Sequence, residues 1–209
     1  MSRELINLII QATGESLFMV SVAALLATVF GLPIGIFLAT SRKGELFAAP
    51  AVNSILGMVV NATRSTPFII LVVAIIPFTR LIAGTSIGSG AAIVPLTIAA
   101  TPFIARLVEG AIREVDGGLI ETASSFGASP LQIVFKVLIP EALPGLVLAL
   151  TLAVVSLLGY SAMVGAVGGG GLGDHADAAI GHRILLIAFA RQAGVVVGRP
   201  PRPAHAGKG

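Results

Sequence analysis

Long apolar runs separated by short charged clusters dominate the chain. From Ser16 to Ser41, 26 residues pass without a charge, about 39 Å of helix at 1.5 Å per residue, which exceeds a hydrocarbon core of about 30 Å. Gly31, Pro33 and Gly35 fall inside this run and predict a bend. The next uncharged run, Ser65–Thr79, has only 15 residues; it is too short to cross alone, so its span must start near residue 55 and carry Arg64 within it. Between Arg80 and Arg106 lie 25 uncharged residues, opened by a glycine-serine turn at 84–90 and punctuated by Pro95 and Pro102. Two prolines in one span leave two carbonyls without their helical donors, which suits a span lining a cavity or one kinked and buried in protein. A last uncharged run covers Ala142–Gly173 and ends in a glycine-rich segment. The pattern predicts an all-α, polytopic transmembrane helix bundle with four clear spans, at about 16–41, 55–79, 91–109 and 144–167.

Between the third and fourth spans, residues 116–140 break the apolar text. Leu119, Ile120, Ala123 and Phe126 recur at helical spacing, with Glu121, Thr122, Ser124 and Ser125 on the other face. Gly127 suits a left-handed C′ position. Ser129, Pro130 and Gln132 then read as an N-cap, a first helical residue and the far half of a capping box. Pro140 predicts that this second helix stops near Leu138. The result is a helix, a glycine corner and a second helix with a surface of small side chains.

Composition narrows the class. Residues are 56% hydrophobic and 11% charged, with mean hydropathy +1.00, far from the roughly one-quarter charged of soluble domains. The chain reads as an integral membrane protein. It has no cysteine, hence no disulfide framework or thiolate chemistry, and His175, His182 and His205 share no metal-ligand spacing. The net charge of +3 would suit nucleic acid only if spread along the chain, but residues 1–180 hold eight Lys/Arg against ten Asp/Glu, and the five basic residues of 181–209 supply the excess. No nucleic acid is expected. Arg42 and Lys43 follow the first span, and Arg106, Arg113 and Lys136 flank the 116–140 loop. Positive residues favour the cytoplasmic side, which places that loop inside and the N-terminus outside.

The corner carries a resemblance. Glu121, Ala123 and Gly127, then nine residues, then Val137-x-Ile139-Pro140 resemble the glutamate-alanine-alanine loop of permease subunits in bacterial ABC importers. Thr122 stands for the second alanine, and Val137 and Ile139 stand for the Ile and Leu of the family's Ile-x-Leu-Pro. Flanking segments, among them Arg64-Ser-Thr-Pro-Phe, Thr101-Pro-Phe-Ile-Ala-Arg and Leu158-Gly-Tyr-Ser-Ala-Met, are similar to the methionine-import branch, over about residues 1–174. The resemblance implies a type I importer permease in the bacterial inner membrane that works as a homodimer. Two copies of a separate ATPase and an extracytoplasmic substrate-binding protein would assemble with it. It also implies that Glu121, Thr122, Ala123, Ser124, Gly127, Ala128 and Pro140 form the ATPase-coupling loop.

Other chemistry is unsupported. The glycine run at 165–173 lacks the Lys-Ser/Thr that a phosphate loop needs, so no cofactor is expected, the chain is not itself an enzyme, and ATP hydrolysis falls to another polypeptide. Ser156 and Ser161 have no histidine or acid at helical spacing. Tyr160, Ser161 and Met163 are candidates for the pathway or its gate. Tyr160 is the chain's single tyrosine and Met163 a flexible thioether, although ordinary packing explains both equally. Arg64 is an intramembrane charge that either snorkels or pairs with an anion. Two alternatives stand beside the methionine reading: the same architecture carrying another small solute, and a membrane assembly or regulatory protein with no pathway.

The chain's last part departs from the pattern. Similar permeases continue into a fifth apolar span, but here Arg183 and Arg191 interrupt the text, leaving a basic, low-complexity ending. The expectation is that 175–209 is an atypical tail, altered or frame-shifted, that replaces the fifth span.

Overall fold

The computed structural model describes residues 3–174; the expected tail, with its three histidines, lies outside them. The first apolar run and the segment before it form one helix, α1 (Arg3–Thr40), which begins well ahead of Ser16. After a short link come α2 (Pro50–Ser65), α3 (Phe68–Ala74) and α4 (Ile76–Ala83), then the long α5 (Ser89–Arg113). The corner follows as α6 (Gly117–Ser125) and α7 (Pro130–Ile133), and a π turn (Val134–Leu138) leads into α8 (Ile139–Val164).

Among the described residues, three helical stretches are long and apolar enough to cross a membrane: Ile6–Thr40, Ser89–Arg113 and Pro130–Val164. A fourth crossing exists if α2 and α3, bent by 105° at their junction, count as one. The second span is therefore broken where the uncharged run suggested a continuous one. Pro67 is the cause: it has no N–H for the helical ladder and drives Thr66 to extended backbone, ψ 126°.

The helix after the corner also departs from expectation, for it continues from Pro130 through to Val164. Pro140 does not end it. The proline ring would collide with the carbonyl four residues back, and the backbone relieves this by widening into the π turn just before it. Ile139 N–H then bonds to the Val134 carbonyl, five residues earlier.

The core is organised on α5, whose Leu96, Ala100, Ile104, Ala105 and Val108 are buried. Gly31 and Gly35 form the contact of α1 with α5. A Cβ at Gly31 would lie 2.9 Å from the Thr101 carbonyl oxygen, and one at Gly35 2.5 Å from that of Ala105. Such a small-xxx-small stripe lets two backbones approach, which is how helices gain packing energy where surrounding lipid is as apolar as they are. Gly145 does the same for α8, where a Cβ would meet Ala111 at 2.9 Å. Pro95 and Pro102 are both buried in this packed helix.

Candidate functional site

Two polar ends and one mid-span cavity carry the chemistry. At the corner, the Asp116 carboxylate accepts from Gly118 N–H and opens α6. The helix closes when Ala128 N–H bonds to the Ala123 carbonyl (3.1 Å) and Gly127 N–H to that of Ser124 (2.9 Å), with Gly127 at φ 77°. This is the Schellman pattern, and it requires the left-handed backbone that glycine adopts without strain. Ser129 and Gln132 then form the full capping box. Glu121, Thr122, Ser124 and Gly127 are exposed, Ala123 and Ala128 half-buried, and Pro140 lies exposed in α8 beyond the corner. A Cβ at Gly127 would meet nothing. Phe126 differs from its expected place with Ile120 and Ala123. Those two pack against the core, while Phe126, where the chain leaves the helix, is 87% exposed.

Beneath the corner lies a charge cluster that the sequence reading missed. Glu109 is 3% exposed and faces three guanidinium groups. Arg113 is 2.6 Å away, Arg42 is 3.6 Å away, and Arg106 makes a close bond through Nη1. Arg106 also donates from Nε to Asn61 Oδ1 (3.1 Å) and from Nη2 to the Gly57 carbonyl (3.2 Å), tying α5 to α2. Arg113 and Asn53 both donate to the Leu38 carbonyl, satisfying an otherwise orphaned acceptor in the last turn of α1. The spacing Arg106-x-x-Glu109-x-x-x-Arg113 was the available signal, since positions three and four apart share a helix face. The link to Arg42 was not readable, because it depends on how α1 packs against α5.

At the opposite end the glycine run does cradle an oxyanion, but the oxyanion belongs to the chain. Gly171 N–H donates to the Glu15 carboxylate (3.1 Å) and Leu172 N–H to Ser16 Oγ (2.9 Å), while Gly88 N–H bonds to the Gly168 carbonyl (2.9 Å). The start of α5 and the end of α8 are thereby fastened to α1.

In the middle, Tyr160 stacks on Phe68 with ring centroids 4.4 Å apart, and the Arg64 guanidinium lies 5.9 Å from the Phe103 centroid. These four residues border one cavity of about 180 Å³. Ser161 and Met163 do not join them. Ser161 is buried and donates to the Leu158 carbonyl, and Met163 is half exposed on α8. Among the described residues no group of three His, Cys, Asp or Glu side chains could hold a metal ion.

The family model described as the binding-protein-dependent transport system inner membrane component matches residues 31–195, past Asp174, where the resemblance was expected to stop. The probable D-methionine transport system permease protein MetI of Vibrio cholerae is 54% identical over 168 residues, 80% of this chain and 75% of that protein. The corresponding D-methionine permease of Escherichia coli K12 is 53% identical over 165 residues, 79% and 76% of the two chains. Among solved structures, an inward-facing conformation of the MetNI methionine ABC transporter superposes with a TM-score of 0.84 at 47% identity, over 92% of this chain and 94% of that one. An amino acid ABC transporter at 20% identity shares the fold, with a TM-score of 0.68, over 92% and 94% of the chains.

Proposed function

This chain belongs to the binding-protein-dependent transport system inner membrane component family, a multi-pass inner-membrane class, and we propose that it is the permease subunit of an ABC importer for methionine. It would form the pathway as a homodimer, receive solute from an extracytoplasmic binding protein and couple to two copies of a separate ATPase. The identity of about half its residues with D-methionine permeases supports the substrate.

The observation that carries the coupling role is the exposed corner between α5 and α8. A Schellman turn and a capping box together satisfy the backbone of α6 and α7, so the corner keeps its shape while standing clear of the bundle. Its exposed Glu121, Thr122, Ser124 and Gly127 offer a carboxylate, hydroxyls and an open backbone, and Phe126 offers a large apolar anchor. Ala123 and Ala128 set the corner against the bundle, and Pro140 shapes the turn that joins it to α8. Arg42, Lys43, Arg106, Arg113 and Lys136 collect at this end, which favours a cytoplasmic corner and an outside N-terminus. Tyr160, which borders the mid-span cavity, and Met163, half exposed on the same helix, are our pathway candidates, while Ser161 is buried and bonded to the Leu158 carbonyl within α8. Closure of the ATPase pair on ATP would move the two corners together and reverse which side the pathway opens to.

The test is reconstitution of the permease, ATPase and binding protein in proteoliposomes. ATP-dependent accumulation of methionine is expected, and its loss together with loss of ATPase co-purification is expected for Gly127→Leu, which forces a bulky side chain into left-handed backbone at the contact. Accumulation of other solutes but not methionine overturns the substrate. Unchanged co-purification and coupled hydrolysis for Gly127→Leu overturns the coupling role of the corner.

A further inference from the structure

The turn of 105° between α2 and α3 interrupts a helix pair that is together long and apolar enough to be one crossing. In hydrocarbon an interrupted helix persists only where its backbone borders protein or a water-filled space, and helix breaks at mid-membrane are where transporters hold small polar solutes. The cavity of about 180 Å³ lies beside this break, bordered by Thr63, Arg64, Thr66, Phe68, Phe103 and Tyr160.

Its walls have three kinds of chemistry. Arg64 is a permanent cation exposed at the rim of the cavity, and among the described residues no carboxylate lies within ion-pair distance of it; Arg42, Arg106 and Arg113, by contrast, share Glu109. A cation without a counter-ion inside a crossing is costly, and an anionic group on an incoming solute would remove that cost through a forked, charge-assisted pair of hydrogen bonds. The hydroxyls of Thr63 and Thr66 donate their protons to the carbonyls of Val59 and Ala62. Their oxygens are therefore left as acceptors, which suits an ammonium group. The Phe68–Tyr160 stack and the Phe103 ring supply polarisable faces on which a thioether or other apolar side chain packs well. A volume of this size is also well below the roughly 300–1,000 Å³ of sites for drug-sized ligands, so the occupant is small.

We propose that this cavity is a station for the zwitterionic amino acid in transit. Arg64 takes the α-carboxylate, the Thr63 and Thr66 oxygens face the ammonium, and the aromatic pair holds the side chain. The proposal rests on the reading of the chain as an amino-acid importer permease.

The test compares uptake of methionine and of methionine amide, which lacks the carboxylate charge, by the full complex in proteoliposomes. The binding protein is the same in every arm, so a change in the ratio of the two rates belongs to the permease. Size-exclusion chromatography of each complex reports assembly. Arg64→Gln is expected to lower the methionine-to-amide ratio at least tenfold, with Arg64→Lys falling between it and the parent because a point charge replaces the fork. A ratio within twofold of the parent in Arg64→Gln overturns the site. If Arg64→Gln fails to assemble, Arg64→Lys is read in its place, and an unchanged ratio there overturns it likewise. A parent complex that imports no methionine overturns the functional reading itself, an outcome distinct from normal parental uptake with an indifferent Arg64.

Discussion

Glu109 shows how much a single side chain holds in place. It is buried, and its carboxylate is shared by guanidinium groups from α5 and from the link after α1, one of which reaches on to α2. Removing the Glu109 charge leaves guanidinium groups that are 22%, 30% and 54% exposed, so the cost falls between the about 0–1 kcal/mol of an exposed pair and the about 3–5 kcal/mol of a fully buried one. Glu109→Gln is therefore expected to lower the melting temperature of the detergent-purified complex clearly. Arg42→Gln should lower it little, because Arg42 is half exposed at 3.6 Å and such pairs contribute about 0–1 kcal/mol. Equal effects in a thermal unfolding series would contradict this ranking. Phe126 is the opposite case. Being 87% exposed, it does nothing for the isolated permease, so Phe126→Ala should leave the melting temperature unchanged. Filling a partner's pocket with a phenyl ring contributes about 1.5–3 kcal/mol, so the same variant should weaken ATPase association at least tenfold in a titration of permease against ATPase.

Among the elements, α1 and the π turn carry the clearest consequences. The α1–α5 contact depends on glycine at 31 and 35, where any Cβ meets a backbone carbonyl of α5. Gly35→Ala should part the helices and cost about 1–3 kcal/mol, as overpacking does, whereas Gly110→Ala on α5, where a Cβ meets nothing, should be neutral or mildly stabilising. Thermal unfolding of the two variants side by side checks this. The π turn sets the angle at which the corner leaves α8. Pro140→Ala restores a backbone donor and removes the ring clash, which favours ordinary α-helix through 134–138. Each residue of helix is about 100° of rotation, so losing the extra residue of the turn re-aims the corner. The expected result is a stable variant whose ATPase activity no longer depends on loaded binding protein. Parental stimulation would show that the turn does not set the corner's aim.

At the scale of the whole molecule, the described ends sort into two layers. Glu15, Ser16, Gly88 and the glycine run meet at one, while Arg42, Asn53, the Glu109 cluster and the corner meet at the other. The parent has no cysteine, so a single introduced thiol reports without background. Met163→Cys is expected to react with a water-soluble thiol reagent at rates differing several-fold between nucleotide-free and ATP-bound complex. Equal rates in both states would remove Met163 from the pathway.

Much of this was legible without coordinates, because it depends on neighbours in the chain. Charge-free runs of sufficient length imply crossings in any fold, since nothing else satisfies a backbone in hydrocarbon. The Schellman corner and capping box depend on Ala123 to Gln132 alone, and both stood where residue types placed them. Pro140 was misread for a related reason: a proline removes one donor wherever it sits, but whether the helix stops or widens depends on what packs against the next turn. The use of Gly31 and Gly35 as a contact, the Glu15 carboxylate in the glycine run and the meeting of Arg42 with Glu109 all join residues far apart in sequence. Hydrophobic period states which face is apolar and leaves open which helix covers it. Only tertiary structure decided that α5 lies at the centre, and that decision brought Arg42 to a carboxylate that Arg106 and Arg113 already flank on α5, and left Arg64 facing a cavity.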